Sequence, residues 1–206
     1  FGIPGVHTVE LYRGLDGSGL RHVTPRHEQG AGFMADGYAR AGGKPGVCFI
    51  ISGPGMTNIV PAMGQAYGDS IPMLVISTVN AHGRMGSGEG WLHELPNQSA
   101  LVAGVSAFSR TIHRPEELAP ALAQAFAVFD SARPRPVHIE LPINVMLADA
   151  CGRGHRGGGY LAERVKGSAD PCRRWSREIR RTLAGTGRNA GCPGCDDHQC
   201  ARHSSA

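Results

Sequence analysis

VCFIISGPGMTN, residues 47–58, is the stretch that decides the fold. Its first six residues form an apolar run of the kind found in strands that are covered on both faces. The Gly-Pro-Gly segment at 53–55 then reverses the chain and lets the backbone approach a ligand, and a helix is predicted from Met56. Strand, turn and helix in this order form the repeating unit of a parallel sheet with crossover connections.

Similar apolar runs recur later in the chain, at residues 73–77 (MLVIS) and 137–141 (VHIEL). Each is bounded by proline on at least one side, as strands commonly are. Their alternation with longer helical segments predicts an α/β fold, an open, doubly wound parallel sheet with helices on both faces. Helices are predicted at residues 6–14, 28–41, 56–67 and 115–132, and a further strand at residues 21–24.

The composition changes near residue 150. Lys and Arg number 10 against 12 Asp and Glu in residues 1–150, but 11 against 5 in residues 151–206. The second segment is rich in Arg, Gly and Cys and poor in aliphatic residues, so we expect a disordered tail. The first 150 residues are predicted to form one domain. Its N-terminal edge is expected to be missing, because the opening FGIP is typical of the end of a strand.

The segment RHEQGAGFMADGYAR, residues 26–40, holds the strongest candidate for a reacting group. Glu28 follows a predicted strand and lies in the first turn of the next helix, where open sheets place their ligand sites. The ordinary alternative is a first-turn glutamate that interacts with the helix dipole, with the small residues nearby serving only helix packing. The residues by themselves leave both interpretations open.

Three motifs in order carry a resemblance to a known family. Residues 26–40 are followed by SGPGMTN at 52–58 and by DSIPM at 69–73. Together they resemble the acetolactate synthase and 2-oxo acid decarboxylase family of thiamine-diphosphate enzymes. The similarity covers nearly all of residues 1–150, which are identified as the pyrimidine-binding domain of that family.

The resemblance implies that thiamine diphosphate is the cofactor and that Glu28 activates it. Glu28 would hydrogen-bond the pyrimidine ring nitrogen, and the activated cofactor would then accept electrons from a 2-oxo acid as it loses carbon dioxide. In the family the Gly-Pro-Gly loop lies against the pyrimidine, so Pro54, Gly55 and Asn58 are expected to line the cofactor. The family's magnesium-binding segment, Gly-Asp-Gly followed by Asn, is not found in this chain, and no metal site is predicted here.

Substrate contacts are expected from two places in the chain. Val6 and His7 follow a Pro-Gly turn, where related enzymes present side chains to the substrate. His7 has an alternative as a solvated residue at a helix start, and that alternative is slightly favoured. His93 stands in Leu92-His93-Glu94, where acetolactate synthases usually carry Phe-Gln-Glu. This departure favours a decarboxylase acting on another 2-oxo acid over acetolactate synthesis.

The resemblance also predicts how the protein assembles. The pyrimidine domain of the family works against the phosphate domain of another subunit, which implies a homodimer or tetramer for the complete enzyme and little activity for this chain alone. No apolar run is long enough for a membrane span. Cys48 lies alone in an apolar run, as expected of a reduced core thiol, and a cytoplasmic location is predicted.

The tail leaves a second class of function open. CPGCDDHQC, residues 192–200, contains zinc-ligand types, at a spacing too compressed for a standard finger. Its arginines could contact phosphates, although with so few aromatic residues nucleic-acid binding is not expected. In this alternative the chain is a non-catalytic assembly surface with a metal- or nucleic-acid-binding tail. A shift of reading frame after residue 150 would also explain the composition.

Overall fold

The computed structural model describes residues 1–131 and 133–148. The sheet at their centre has the order β1-β2-β4-β3, and every neighbouring pair of strands is parallel. This confirms the predicted open parallel sheet. The boundary at residue 150 and the predicted tail lie outside the described residues. The strands are β1 (Gly46–Ile50), β2 (Met73–Val79), β3 (Phe108–Thr111) and β4 (Val137–Pro142).

Helices cover both faces of this sheet. None of those in the described part of the chain is long and apolar enough to cross a membrane. Two short 3-10 turns, at His82–Arg84 and Pro115–Glu117, complete the connections. The α-helices are α1 (Val9–Arg13), α2 (Glu28–Gly42), α3 (Pro54–Asp69), α4 (Gln98–Ala103), α5 (Leu118–Phe129) and α6 (Ile143–Met146).

Side chains of the central strand β2 alternate between two hydrophobic cores. Leu74 and Ile76 belong to the core under α5, whereas Met73 and Val75 belong to the core under α2 and α3. Successive side chains of a strand point to opposite faces, so burial on both faces favours apolar residues at successive positions, as at residues 73–76. Cys48 of β1 is fully buried in the second core as a free thiol, and burial raises its pKa to about 12.

Several predicted boundaries were wrong. The helix predicted at 6–14 begins only at Val9, because Gly5 and Thr8 first form a turn in which the Gly5 amide donates to Thr8 Oγ1 at 2.9 Å. Residues 21–24 are not a strand, although the Gly2 amide donates to the Val23 carbonyl at 3.3 Å. The helix predicted at 115–132 starts as a 3-10 turn and ends at Phe129. The sequence did not predict α4, β3 or α6, which are all short.

The close contact of α2 and α3 brings the first turns of these two helices together. Gly32 of α2 packs against α3 so closely that a Cβ atom on it would lie 3.1 Å from Ile59 Cγ1 and closer still to the Ala62 methyl group. Helix α2 begins with Glu28, and α3 begins with the Gly-Pro-Gly turn. The missing side chain at Gly32 therefore lets the first turns of the two helices meet.

A matched pair of glycine substitutions tests this contact. Gly32→Ala should lower the free energy of unfolding by about 1–3 kcal/mol, because the added methyl group overpacks the interface. Gly37→Ala, in the same helix but with open space around it, should raise it by up to about 1 kcal/mol through helix propensity. Urea unfolding measures both. Equal effects of the two substitutions would show that α2 and α3 are not packed at Gly32.

Candidate functional site

Glu28 is half-buried at the start of α2, and its carboxylate is fixed by a neighbour from α3. His27 caps the helix, accepting a hydrogen bond from the Gln29 amide at 3.1 Å. Asn58 Nδ2 donates to Glu28 Oε2 at 2.9 Å. Within the described residues Glu28 makes no other hydrogen bond. Its Oε1 is therefore available to a ligand, while Oε2 holds the orientation of the group.

The Gly-Pro-Gly turn provides bare backbone beside this carboxylate. A Cβ atom on Gly55 would lie 3.6 Å from Glu28 Cγ and 2.6 Å from Ile51 Cγ2. Asn58 follows one turn later in α3, and Pro54 is exposed at the start of the helix. The structure thus brings Glu28, Gly55 and Asn58 into one cluster, with Pro54 at its solvent edge.

His7 and His93, the two histidine candidates, face each other. Their rings are perpendicular, with centroids 5.8 Å apart. His7 is only 6% exposed, and its Nδ1 is hydrogen-bonded to Ser52 Oγ. The interpretation of His7 as a solvated residue was therefore wrong, because the turn before α1 directs it inward. Burial lowers the pKa of His7, and His93 lowers it further. Val6, by contrast, is 73% exposed.

His93 packs directly against Gly53, the first residue of the Gly-Pro-Gly turn. A Cβ atom on Gly53 would lie 2.5 Å from the His93 carbonyl oxygen and 2.8 Å from the His93 Cβ. His93 itself has a φ of 57°, and its buried Nδ1 has no hydrogen-bond partner among the described residues. The histidine pair thus adjoins Gly53, and Glu28 adjoins Gly55, so the two groups flank one three-residue turn.

Glu94 shapes the glycine-rich loop from which His93 extends. Its carboxylate accepts hydrogen bonds from the amides of Gly88, Gly90 and Trp91 at 2.6, 2.8 and 3.0 Å. The bond from Gly88 is the largest of the interactions that lower the pKa of Glu94. Several converging amides also fix the loop backbone. This role of Glu94 was not predicted from the sequence.

A buried polar network, also not predicted from the sequence, supports the turn at the Gly53 amide. Gln98 Oε1 accepts from the Gly53 amide at 2.8 Å, and its Nε2 donates to the Thr78 carbonyl and to Glu140 Oε2 at 3.0 and 3.2 Å. Burial raises the pKa of Glu140. His138 lies deeper, between the Ser77 and Ser109 hydroxyls, each at 2.7 Å. Burial lowers the pKa of His138 to about 3.

Residues 1–101 match the family described as thiamine pyrophosphate enzyme, N-terminal TPP binding domain. Through these residues the chain belongs to the thiamine pyrophosphate enzyme family. Thiamine pyrophosphate is another name for thiamine diphosphate, so the cofactor and fold predicted from the motifs are confirmed at the level of the family. Among the described residues no group of three or more His, Cys, Asp or Glu side chains is arranged to hold a metal ion.

Curated relatives agree with this family. The probable 2-ketoarginine decarboxylase AruI of Pseudomonas aeruginosa is 56% identical over 184 residues, which are 89% of this chain and 32% of that protein. The mitochondrial acetolactate synthase catalytic subunit of Saccharomyces cerevisiae is 39% identical over 72% of this chain and 21% of its own length. The acetolactate synthase isozyme 1 large subunit of Escherichia coli is 38% identical over 71% and 26%.

The chain therefore spans about a third or less of the length of these relatives. The motifs at residues 26–40, 52–58 and 69–73 also predict a similarity to 5-guanidino-2-oxopentanoate decarboxylase, and 2-ketoarginine is another name for that acid. A match that covers 89% of this chain cannot end at residue 150. At least part of the segment after residue 150 is therefore included in the match to this relative.

The pH dependence of stability tests the buried network. A histidine whose folded pKa is about 3 binds its proton mainly in the unfolded chain, so its contribution to stability is lost as pH falls below about 6.5. Between pH 7 and pH 5 the loss from His138 should be about 2 kcal/mol. His138→Gln keeps hydrogen-bonding groups for the two serines but does not titrate.

Urea unfolding of both proteins at pH 7 and pH 5 separates the contribution of His138 to stability from the contributions of other groups. The variant should lose less stability on acidification than the parent, by about 2 kcal/mol. The opposite contribution of Glu140, whose folded pKa is raised, is present in both proteins and cancels in the comparison. The same acid-induced loss in parent and variant would mean that His138 is not buried in a neutral state.

Proposed function

We propose that the described residues form the aminopyrimidine-binding side of a thiamine-diphosphate site in an enzyme that decarboxylates a 2-oxo acid or joins the product to an acceptor. The observation that carries the proposal is the Glu28 carboxylate, fixed by Asn58 through one oxygen and open at the other. Gly55 supports it, because it is buried with no room for a Cβ atom against Ile51, so that bare backbone lies next to Glu28. A flat ring that offers a nitrogen to Glu28 fits this arrangement.

Each residue of the cluster has a definite task in this proposal. Asn58 holds the carboxylate so that Oε1 meets the ring nitrogen, and Glu28 holds or shares a proton there. Pro54 and Gly55 line the ring. When bound, thiamine diphosphate supplies an electron sink for the electrons released from the 2-oxo acid. Its diphosphate and magnesium ion would be held by residues other than those described.

His7, His93 and Val6 are proposed to face the 2-oxo acid. The lowered pKa of His7 favours its neutral form at neutral pH, so Nε2 can accept or donate a proton without carrying a permanent charge. His93 presents an unpaired ring nitrogen next to it. The name of the Pseudomonas relative specifies 2-ketoarginine, and we propose the same class of acid here. A homodimer or tetramer and a cytoplasmic location remain predictions.

A binding experiment tests the role of Glu28. The 206-residue chain, labelled with ¹⁵N, is titrated with thiamine diphosphate and followed by NMR. The amides of Glu28, Gly55 and Asn58 should shift. Glu28→Gln should weaken the affinity about tenfold, because a neutral amide makes a weaker hydrogen bond than a carboxylate. Glu116→Gln, which changes an exposed glutamate far along the chain, is the matched control.

Shifts confined to other regions, or equal affinities of the Glu28→Gln and Glu116→Gln chains, would overturn the assignment. A second readout is chemical. In a full-length enzyme that carries these residues, Glu28→Gln should slow exchange of the cofactor's C2 proton for deuterium by about a hundredfold or more, the usual contribution of a positioned acid or base. An unchanged exchange rate would exclude Glu28 as the activating group.

A further inference from the structure

Trp91 lies in the glycine-rich loop that carries His93, and its ring already binds a guanidinium group. The central carbon of the Arg84 guanidinium lies 3.9 Å from the centre of the Trp91 ring. Glu89 completes the same corner, since its Oε2 accepts a hydrogen bond from Trp91 Nε1 at 3.0 Å. An aromatic face beside a carboxylate suits a guanidinium, which stacks on rings and pairs with carboxylates.

Arg84 is held weakly in this corner. Its side chain is exposed and makes no hydrogen bond or ion pair with any of the residues that the structure describes. An exposed cation–π contact favours the bound form only about two- to fivefold. A ligand that carries a guanidinium and is also bound at its other end can therefore displace the Arg84 guanidinium from the Trp91 ring.

The corner is fixed relative to the histidine pair. The Glu94 amide donates to the Trp91 carbonyl at 2.9 Å, and the Trp91 amide donates to Glu94 Oε2 at 3.0 Å. His93 lies inside this turn and packs on Gly53. Only Leu92 separates Trp91 from His93, so their Cα atoms are at most about 7 Å apart. The propyl chain that joins the 2-oxo carbon to the guanidino group of a 5-guanidino-2-oxo acid has a similar reach.

We propose that Trp91 and Glu89 form the specificity site for the guanidino group of a cationic 2-oxo acid, and that Arg84 covers the Trp91 face of it when the substrate is absent. The proposal rests on the proposed function, because it takes the histidine pair as the end of the site where the 2-oxo group lies. Glu94 has no free capacity for this task, since three backbone amides already use its carboxylate. Glu89 is the acidic residue that adjoins the ring.

Two ligands that differ only in charge test the site. The labelled 206-residue chain is titrated with 5-guanidinopentanoate and with 5-ureidopentanoate, its neutral isostere, while the amides of Gly88 and Gly90 are followed by NMR. The guanidino ligand should bind about fivefold more tightly than the ureido ligand. Trp91→Leu should abolish this preference and Glu89→Gln should reduce it. Trp91→Phe, which keeps an aromatic face, should retain most of it.

Arg84→Gln should strengthen binding of the guanidino ligand, whereas Trp91→Leu and Glu89→Gln should weaken the preference for it. Removing the internal competitor should raise the affinity for the guanidino ligand about two- to fivefold and leave that for the ureido ligand unchanged. Arg13→Gln, at another exposed arginine, is the control. Equal binding of the two ligands, binding of neither, a preference that survives Trp91→Leu, or an Arg84→Gln chain that behaves like the parent would each overturn the proposal.

Glu28→Gln separates this inference from the proposed function. The guanidino preference should be unchanged in that variant, since Glu28 does not contact the loop corner. If thiamine diphosphate fails to bind at Glu28 while the guanidino preference is present, the proposed function fails and the guanidinium site stands. If the cofactor binds and the preference is absent, only the guanidinium site fails.

Discussion

The hydrogen bond from the Gly53 amide to Gln98 is the interaction on which the site depends. It joins the turn that follows β1 to the start of α4. The side-chain amide of Gln98 also joins the turn to the ends of β2 and β4. A buried amide without a hydrogen-bond partner lowers stability, so moving Gly53 away from Gln98 would destabilise the fold. Glu28 on one side of the turn and the histidine pair on the other are placed relative to this fixed point.

Much of the fold could be predicted from the sequence because the central strands are buried on both faces. Such strands are largely apolar, as residues 73–76 show, and the buried polar residues His138 and Glu140 in residues 137–141 are each hydrogen-bonded. Edge strand β3 could not be found in the same way, since FSRT is only half-buried and carries polar residues. The short helices α4 and α6 have too few turns to show a helical period.

The candidate site was predictable in part. The family motifs predicted Glu28, Gly55 and Asn58 as site residues. These residues lie in two separate motifs along the chain and lie together in the structure. Burial of His7 was not foreseen, because a single polar residue beside a turn carries no signal of the side chain it will meet, here Ser52. The role of Glu94 depends on loop amides, which every sequence contains. Glu140 did carry a signal, since a glutamate inside the apolar run VHIEL requires a partner.

Gly53 meets His93 mainly through backbone and Cβ atoms, and this divides the site into two parts that can change separately. A carbonyl oxygen is present whatever residue stands at position 93, and a Cβ in every residue except glycine, whereas Gly53 has no room for any side chain. The loop can therefore exchange its side chains for others without disturbing the turn beside Glu28. The arrangement of the turn and Glu28 is in this way compatible with loop side chains of different size and charge.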